Sequence, residues 1–208
     1  MSALDPELFS TIEELVDEAL SGHRSARYSP LEVARWLEGF AGAAARHLVR
    51  METSMPDRTD PSFRRWKVDV AIQIALGRFF AEKLRAGVRY EVYARTGNVH
   101  ALRHGISAYR AARAAWMEAV HSATGVYVGD LTFGPEPWLR GHWSDRLAAV
   151  DQDIADIEAE LSEPMATDHS HEEVPTRAFD EDEWGRPTIR VEHVHLIRSA
   201  AATRSWLS

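Results

Sequence analysis

Asp60-Pro61 opens a run to Arg95 that holds no further proline and only two glycines, Gly77 and Gly87. Aspartate is a strong helix cap and proline suits the first helical position, so the run begins as a helix. From Pro61 to Arg95 it would extend about 52 Å at 1.5 Å per residue, long for a small domain. Such a rod is either curved or bent near one of its glycines. Thr96-Gly97-Asn98 is a helix stop and turn, and the Ala- and Arg-rich segment Val99–Thr124 reads as the antiparallel return. Two long helices side by side set the class: an all-α antiparallel bundle.

Three further helices are signposted. Asp5 and Pro6 repeat the cap-then-proline device, and Leu8, Ile12, Leu15, Val16 and Ala19 form one apolar stripe that Gly22 ends. Ser29-Pro30-Leu31-Glu32 is a capping box; Val33, Trp36, Leu37, Phe40, Ala44 and Leu48 carry that helix to about Met51. Asp145–Leu161 places Leu147, Val150, Ile154, Ile157 and Leu161 on one face before Pro164 stops it. Residues 1–162 are therefore expected to form a bundle of about five helices. Residues 163–208 read as an acidic, mostly irregular tail, with one short strand over Thr188–Ile197, where Ile189, Val191 and Val194 alternate with polar neighbours.

Charge separates the two parts. Asp151–Glu183 holds thirteen acidic residues and one basic residue, Arg177, whereas the rest of the chain has a small basic excess. The formal net charge of −8 disfavours general affinity for nucleic acid or an anionic membrane. With no cysteine, disulfides, zinc–thiolate sites and cysteine nucleophiles are excluded. No apolar run approaches the roughly 20 residues of a membrane span, and the N-terminus lacks the regions of a signal peptide. The expectation is a soluble cytoplasmic chain.

Catalytic and metal signals are weak. His100 and His104 share a helix face, but Ala101-Leu102-Arg103 between them supplies no ligand. Glu118-x-x-His121 has di-iron spacing, yet such sites need two pairs and two more glutamates, and Glu192-x-x-His195 falls in the expected strand. Asp168, His169, His171, Glu172 and Glu173, with His193 and His195 beyond, read as a solvated acidic tail. No Gly-x-Ser-x-Gly, P-loop or dinucleotide fingerprint occurs. The expectation is no catalytic residue, no metal and no cofactor.

Val126–Trp143 combines glycines and prolines with large aromatics, the composition of an ordered loop. Its candidate ligand-binding residues, with those just beyond it, are Tyr127, Phe133, Trp138, Arg140, His142, Trp143, Asp145 and Arg146. Aromatic faces stack on sugar rings and charged groups bond hydroxyls, so a carbohydrate is the candidate ligand. The same residues could equally plug one end of the bundle.

Two resemblances bear on function. Tyr90-x-x-Tyr93-x-x-Thr96-Gly97-Asn98-x-x-Ala101-Leu102 with Ala108-Tyr109-Arg110-x-Ala112 resembles one tetratricopeptide helix-turn-helix unit, one residue out of register and with no second copy. A wider resemblance spans Leu8 to Leu161. It rests on Tyr28-Ser29-Pro30-Leu31-Glu32-Val33-Ala34-x-Trp36-Leu37 and on Leu76-Gly77-x-Phe79-x-Ala81-x-Lys83-x-Arg85-Ala86. Leu131-Thr132-Phe133-Gly134 and Gly141-His142-Trp143-x-Asp145-Arg146-Leu147 complete it. These runs are similar to the C-terminal helical region of large bacterial glycoside-hydrolase-like proteins, of family-20-like or α-glucuronidase-like type. The resemblance implies a non-catalytic accessory or interaction domain beside a catalytic domain. The chain has no room for a catalytic barrel, so no catalytic acid or base carries over. The alternative is a small all-α enzyme or carbohydrate-binding protein using the 127–146 loop.

Overall fold

The computed structural model describes residues 5–136 and 139–162, and in it the chain is an antiparallel helical bundle. In order the helices are α1 (Ile12–Ser21), α2 (Pro30–Ser54), α3 (Pro61–Thr96), α4 (Val99–Ala123) and α5 (Leu147–Ser162). Between α4 and α5 lie two-residue strands, β1 (Leu131–Thr132) and β2 (Arg140–Gly141), and a 3₁₀ turn over Trp143–Arg146. The tail at 163–208, with its expected strand at 188–197 and its His and acidic cluster, lies outside the described residues, as does Trp138.

Local chemistry sets most helix ends. The Ser29 hydroxyl accepts from Glu32 N, and the Glu32 carboxylate accepts from Ser29 N at 2.8 Å, closing the capping box with Pro30 in the first turn. Asp60 Oδ1 accepts from Phe63 N at 2.8 Å to start α3. Gly97 ends α3 at φ 68°, a left-handed conformation that costs a residue without Cβ little, and Asn98 caps α4.

The start of α1 differs from the sequence reading. Asp5 and Pro6 open only a turn, and the helix begins at Ile12, capped by Thr11 with Glu14 as its box partner. The reason is a longer-range competitor: Tyr28 N donates to Leu8 O at 2.8 Å and Ser10 N to Tyr28 O at 3.0 Å. That pairing sets Phe9 in a parallel bridge with Tyr28.

The axis of the fold is α3, one uninterrupted helix of 36 residues. Its glycines are contact points. A Cβ on Gly77 would stand 3.2 Å from Ala41 Cβ, and Gly105 of α4 lies against the Ala86 carbonyl and Arg89. Ion pairs Glu38–Arg85 and Glu52–Lys67 fix α2 antiparallel to α3, and Arg113–Asp151 with Arg110–Glu158 fix α5 antiparallel to α4. One core cluster gathers Phe79, Ala86, Tyr109, Ala112, Ala115, Val150 and Ile154 from α3, α4 and α5. Another joins Leu15 and Val16 of α1 to Leu31, Val88 and Val92. Each large side chain so buried contributes about 1.5–3 kcal/mol.

The α2 stripe departs from expectation. Ala34 and Ala41 are buried, but Trp36 is 39 % exposed and Phe40 71 % exposed. The apolar stripe read from the sequence is wider than the surface that α3 offers, so one flank faces outward.

Candidate functional site

The 127–146 loop is tied down from within and from two helices. Leu131 pairs with Gly141 and Thr132 with Arg140, and Phe133 N donates to Leu139 O at 2.7 Å. Arg140 makes a bidentate pair with Asp130, Nη2 to Oδ2 at 2.6 Å and Nε to Oδ1 at 3.1 Å. The bond from Arg140 holds the Asp130 carboxyl below its usual range.

His142 and Asp145 cap the 3₁₀ turn reciprocally. Asp145 Oδ2 accepts from His142 N at 2.7 Å, and His142 Nδ1 accepts from Ser144 N at 3.2 Å. Both side chains are thus engaged in ordering backbone. Gly141 makes the turn possible: its φ is 125°, and a Cβ there would stand 2.6 Å from Asp145 Oδ2. Arg146 closes the 3₁₀ turn.

Trp143 is the hub. Tyr127, Phe133 and His142 meet it edge-on with ring centroids 5.4, 5.1 and 5.5 Å away. It packs against the cluster of Ile72, Ala75, Ala119 and Ala123, and its carbonyl accepts from Trp116 Nε1 at 2.7 Å. The Tyr127 hydroxyl donates to Asp69 of α3, a bond that raises its phenol above the ordinary range. Trp116 and Asp69 were not singled out from the sequence, because nothing local links them to a loop far along the chain. Of the described candidates, Tyr127, Phe133, His142 and Trp143 come together. Arg140 pairs with Asp130 instead, and Asp145 is occupied as a cap. Phe133 is 52 % exposed at the edge of the group.

Elsewhere, His100, His104 and His121 are exposed and Glu118 pairs with Arg78. Among the described residues no three His, Asp or Glu side chains gather to hold a metal, and no helix is long and apolar enough to cross a membrane.

A second surface was not marked as a site by the sequence. Between α2 and α3, Leu37, Phe40, Ala44, Gln73, Leu76 and Phe80 line an open groove of about 350 Å³. Phe40 and Phe80 form its rims, 71 % and 49 % exposed, while Trp36, one turn before Phe40, packs edge-on against Tyr28.

No family model, curated protein or solved structure matches the chain.

Proposed function

We propose that this chain is a non-catalytic helical interaction module of the accessory kind its glycoside-hydrolase-like resemblance implies, docking a protein partner, such as a catalytic domain, through the α2–α3 flank. The observation that carries the reading is the groove rimmed by Phe40 and Phe80, an apolar surface that the described fold leaves open. The loop supports it from the other side. His142 and Asp145 are spent on the 3₁₀ turn, Tyr127 on Asp69 and the Trp143 carbonyl on Trp116, which is the pattern of a plug that fastens α5 to α3 and α4.

A second reading keeps one specific observation: Phe133 is half-exposed against Trp143, and an aromatic edge of that kind can stack on a sugar. Oligosaccharide titration with tryptophan fluorescence separates the two. A flat response up to about 1 mM ligand, where binding is worth about −4 kcal/mol, is expected of the plug. A saturable shift that Trp143→Ala abolishes, in a protein that remains folded, would replace the interaction module with a carbohydrate-binding protein.

A further inference from the structure

At the end of the bundle where α2 turns into α3 and α4 stops, a cleft of about 880 Å³ lies open. It shares no lining residue with the α2–α3 groove, so what it holds is independent of the interaction reading. The acidic groups around it are engaged: Asp60 caps Phe63 N, Asp57 accepts from Thr59, and Glu52 pairs with Lys67 at 2.6 Å. Arg58, Arg64 and Arg65 in its lining are exposed and have no carboxylate partner among the described residues. Arg78, Arg95, Arg110, Arg113 and Arg140, by contrast, each hold an Asp or Glu. Three guanidinium groups around one cleft repel one another, and carboxylates brought between them relieve that repulsion.

We propose that this cleft is a binding site for carboxylate-rich peptide, and that its occupant is the chain's own segment Phe179-Asp180-Glu181-Asp182-Glu183-Trp184. Three observations select that segment. First, the charges are complementary: residues 163–183 hold eight acidic groups and one basic group, Arg177, against the three arginines of the cleft. Four consecutive carboxylates offer each guanidinium a bidentate partner. Second, the apolar parts match. Phe179 and Trp184 bracket the four acids, and the cleft sets Pro61, Val68 and the 55 % exposed Val126 among its arginines. Guanidinium planes also stack on aromatic rings.

Third, the tether is long enough. Leu161, at the end of α5, packs against the cluster of Tyr93, Leu102 and Ile106. From Tyr93 back along α3 to Arg65 is about 42 Å at 1.5 Å per residue. The chain from Ser162 to Phe179 can reach about 56 Å. A foreign acidic peptide would have to compete with a segment tethered to the same molecule, whose effective concentration is of millimolar order.

The test is disulfide trapping in the full chain, which has no cysteine of its own. Ser62→Cys/Gly185→Cys places one thiol beside the cleft and one just beyond the segment, and leaves every charge in place. The comparison is His100→Cys/Gly185→Cys, at an exposed site on α4 nearer the end of α5. At about 1 μM protein, the first pair should close within one chain about tenfold faster than the second. That advantage should vanish in about 1 M salt, and also when Asp180→Asn/Glu181→Gln/Asp182→Asn/Glu183→Gln is added to the first pair. An equal or slower rate for the first pair overturns the inference. So does a rate that the four amides leave unchanged, or a cross-link found only between two chains.

If a cysteine variant loses helical circular dichroism, the unsubstituted chain answers instead. Trypsin should cut after Arg177 about tenfold more slowly in the chain than in a synthetic peptide of residues 170–188, because docking of the residues that follow withholds that bond. About 1 M salt should bring the two rates together. Equal rates at low salt overturn the inference.

Discussion

Replacing each of the two glycines of α3 with alanine should affect stability unequally, with Gly77 the costlier position. In a helix interior alanine is favoured over glycine by about 1 kcal/mol, so both substitutions begin with the same gain. What the new methyl meets decides the outcome. At Gly77 it would lie 3.2 Å from Ala41 Cβ and 3.4 Å from the Leu37 carbonyl oxygen. Both atoms are fixed to the α2 backbone, so relief requires the two helices to part, at the 1–3 kcal/mol typical of overpacking. The net expectation for Gly77→Ala is a loss of up to about 2 kcal/mol.

At Gly87 the obstacle is Ile12 Cδ1 at 2.8 Å, the far end of a side chain that can rotate away. An off-rotamer adjustment costs about 0.5–1.5 kcal/mol at most, so Gly87→Ala should lie within about 0.5 kcal/mol of the parent on either side. Urea unfolding followed by circular dichroism measures both, and a loss of about 2 kcal/mol corresponds to roughly 4–8 °C in Tm for a chain of this size. Equal stabilisation by the two alanines would refute this close approach of α2 to α3.

Gly141→Ala should cost about 1–3 kcal/mol through its φ of 125° and the displaced Asp145 carboxylate, with loss of near-UV dichroism from Trp143; an unchanged spectrum would refute the cap. Burial and the 2.5 Å bond to Asp153 hold the Tyr109 phenol above its ordinary 10.0, so the folded state binds that proton more tightly. The resulting stability is intact below pH 10 and is lost as pH rises past it; urea midpoints should fall there, and less steeply in Tyr109→Phe. Trp36→Ala should cost about 1–2 kcal/mol, its edge-to-face contact with Tyr28 at 4.8 Å plus partial burial, and a loss of about 3–5 kcal/mol would mean that the ring is enclosed.

Most helix starts whose cap acts within three residues were legible, the Thr11–Glu14 box of α1 being the exception. Ser29 with Glu32, Asp60 with Pro61, and Asn98 after Gly97 are short-range hydrogen-bond devices, and each stands where its residues imply. Asp5-Pro6 looks the same but is overruled by pairing with Tyr28, a contact that no local window contains. Periodicity found the apolar stripe of α2 but could not say whether a neighbour covers all of it. Ala41 and Phe40 are adjacent in sequence; one meets Gly77 and the other meets solvent. In the loop, composition announced order, whereas the groups that fasten it, Trp116 and Asp69, sit on helices 27 and 58 residues away from their partners.

The central claim is that the working surface is the α2–α3 flank and that the aromatic loop is a fastening. Hydroxyl-radical footprinting reads both surfaces at once, through Phe40 and Phe80 on the flank and Phe133 on the loop, all exposed in the single chain. The account predicts that Phe40 and Phe80 are labelled in the free chain and protected when a protein partner docks, while Phe133 stays constant with or without oligosaccharide. Protection of Phe133 by oligosaccharide, with Phe40 and Phe80 labelled equally with and without a protein partner, would contradict it.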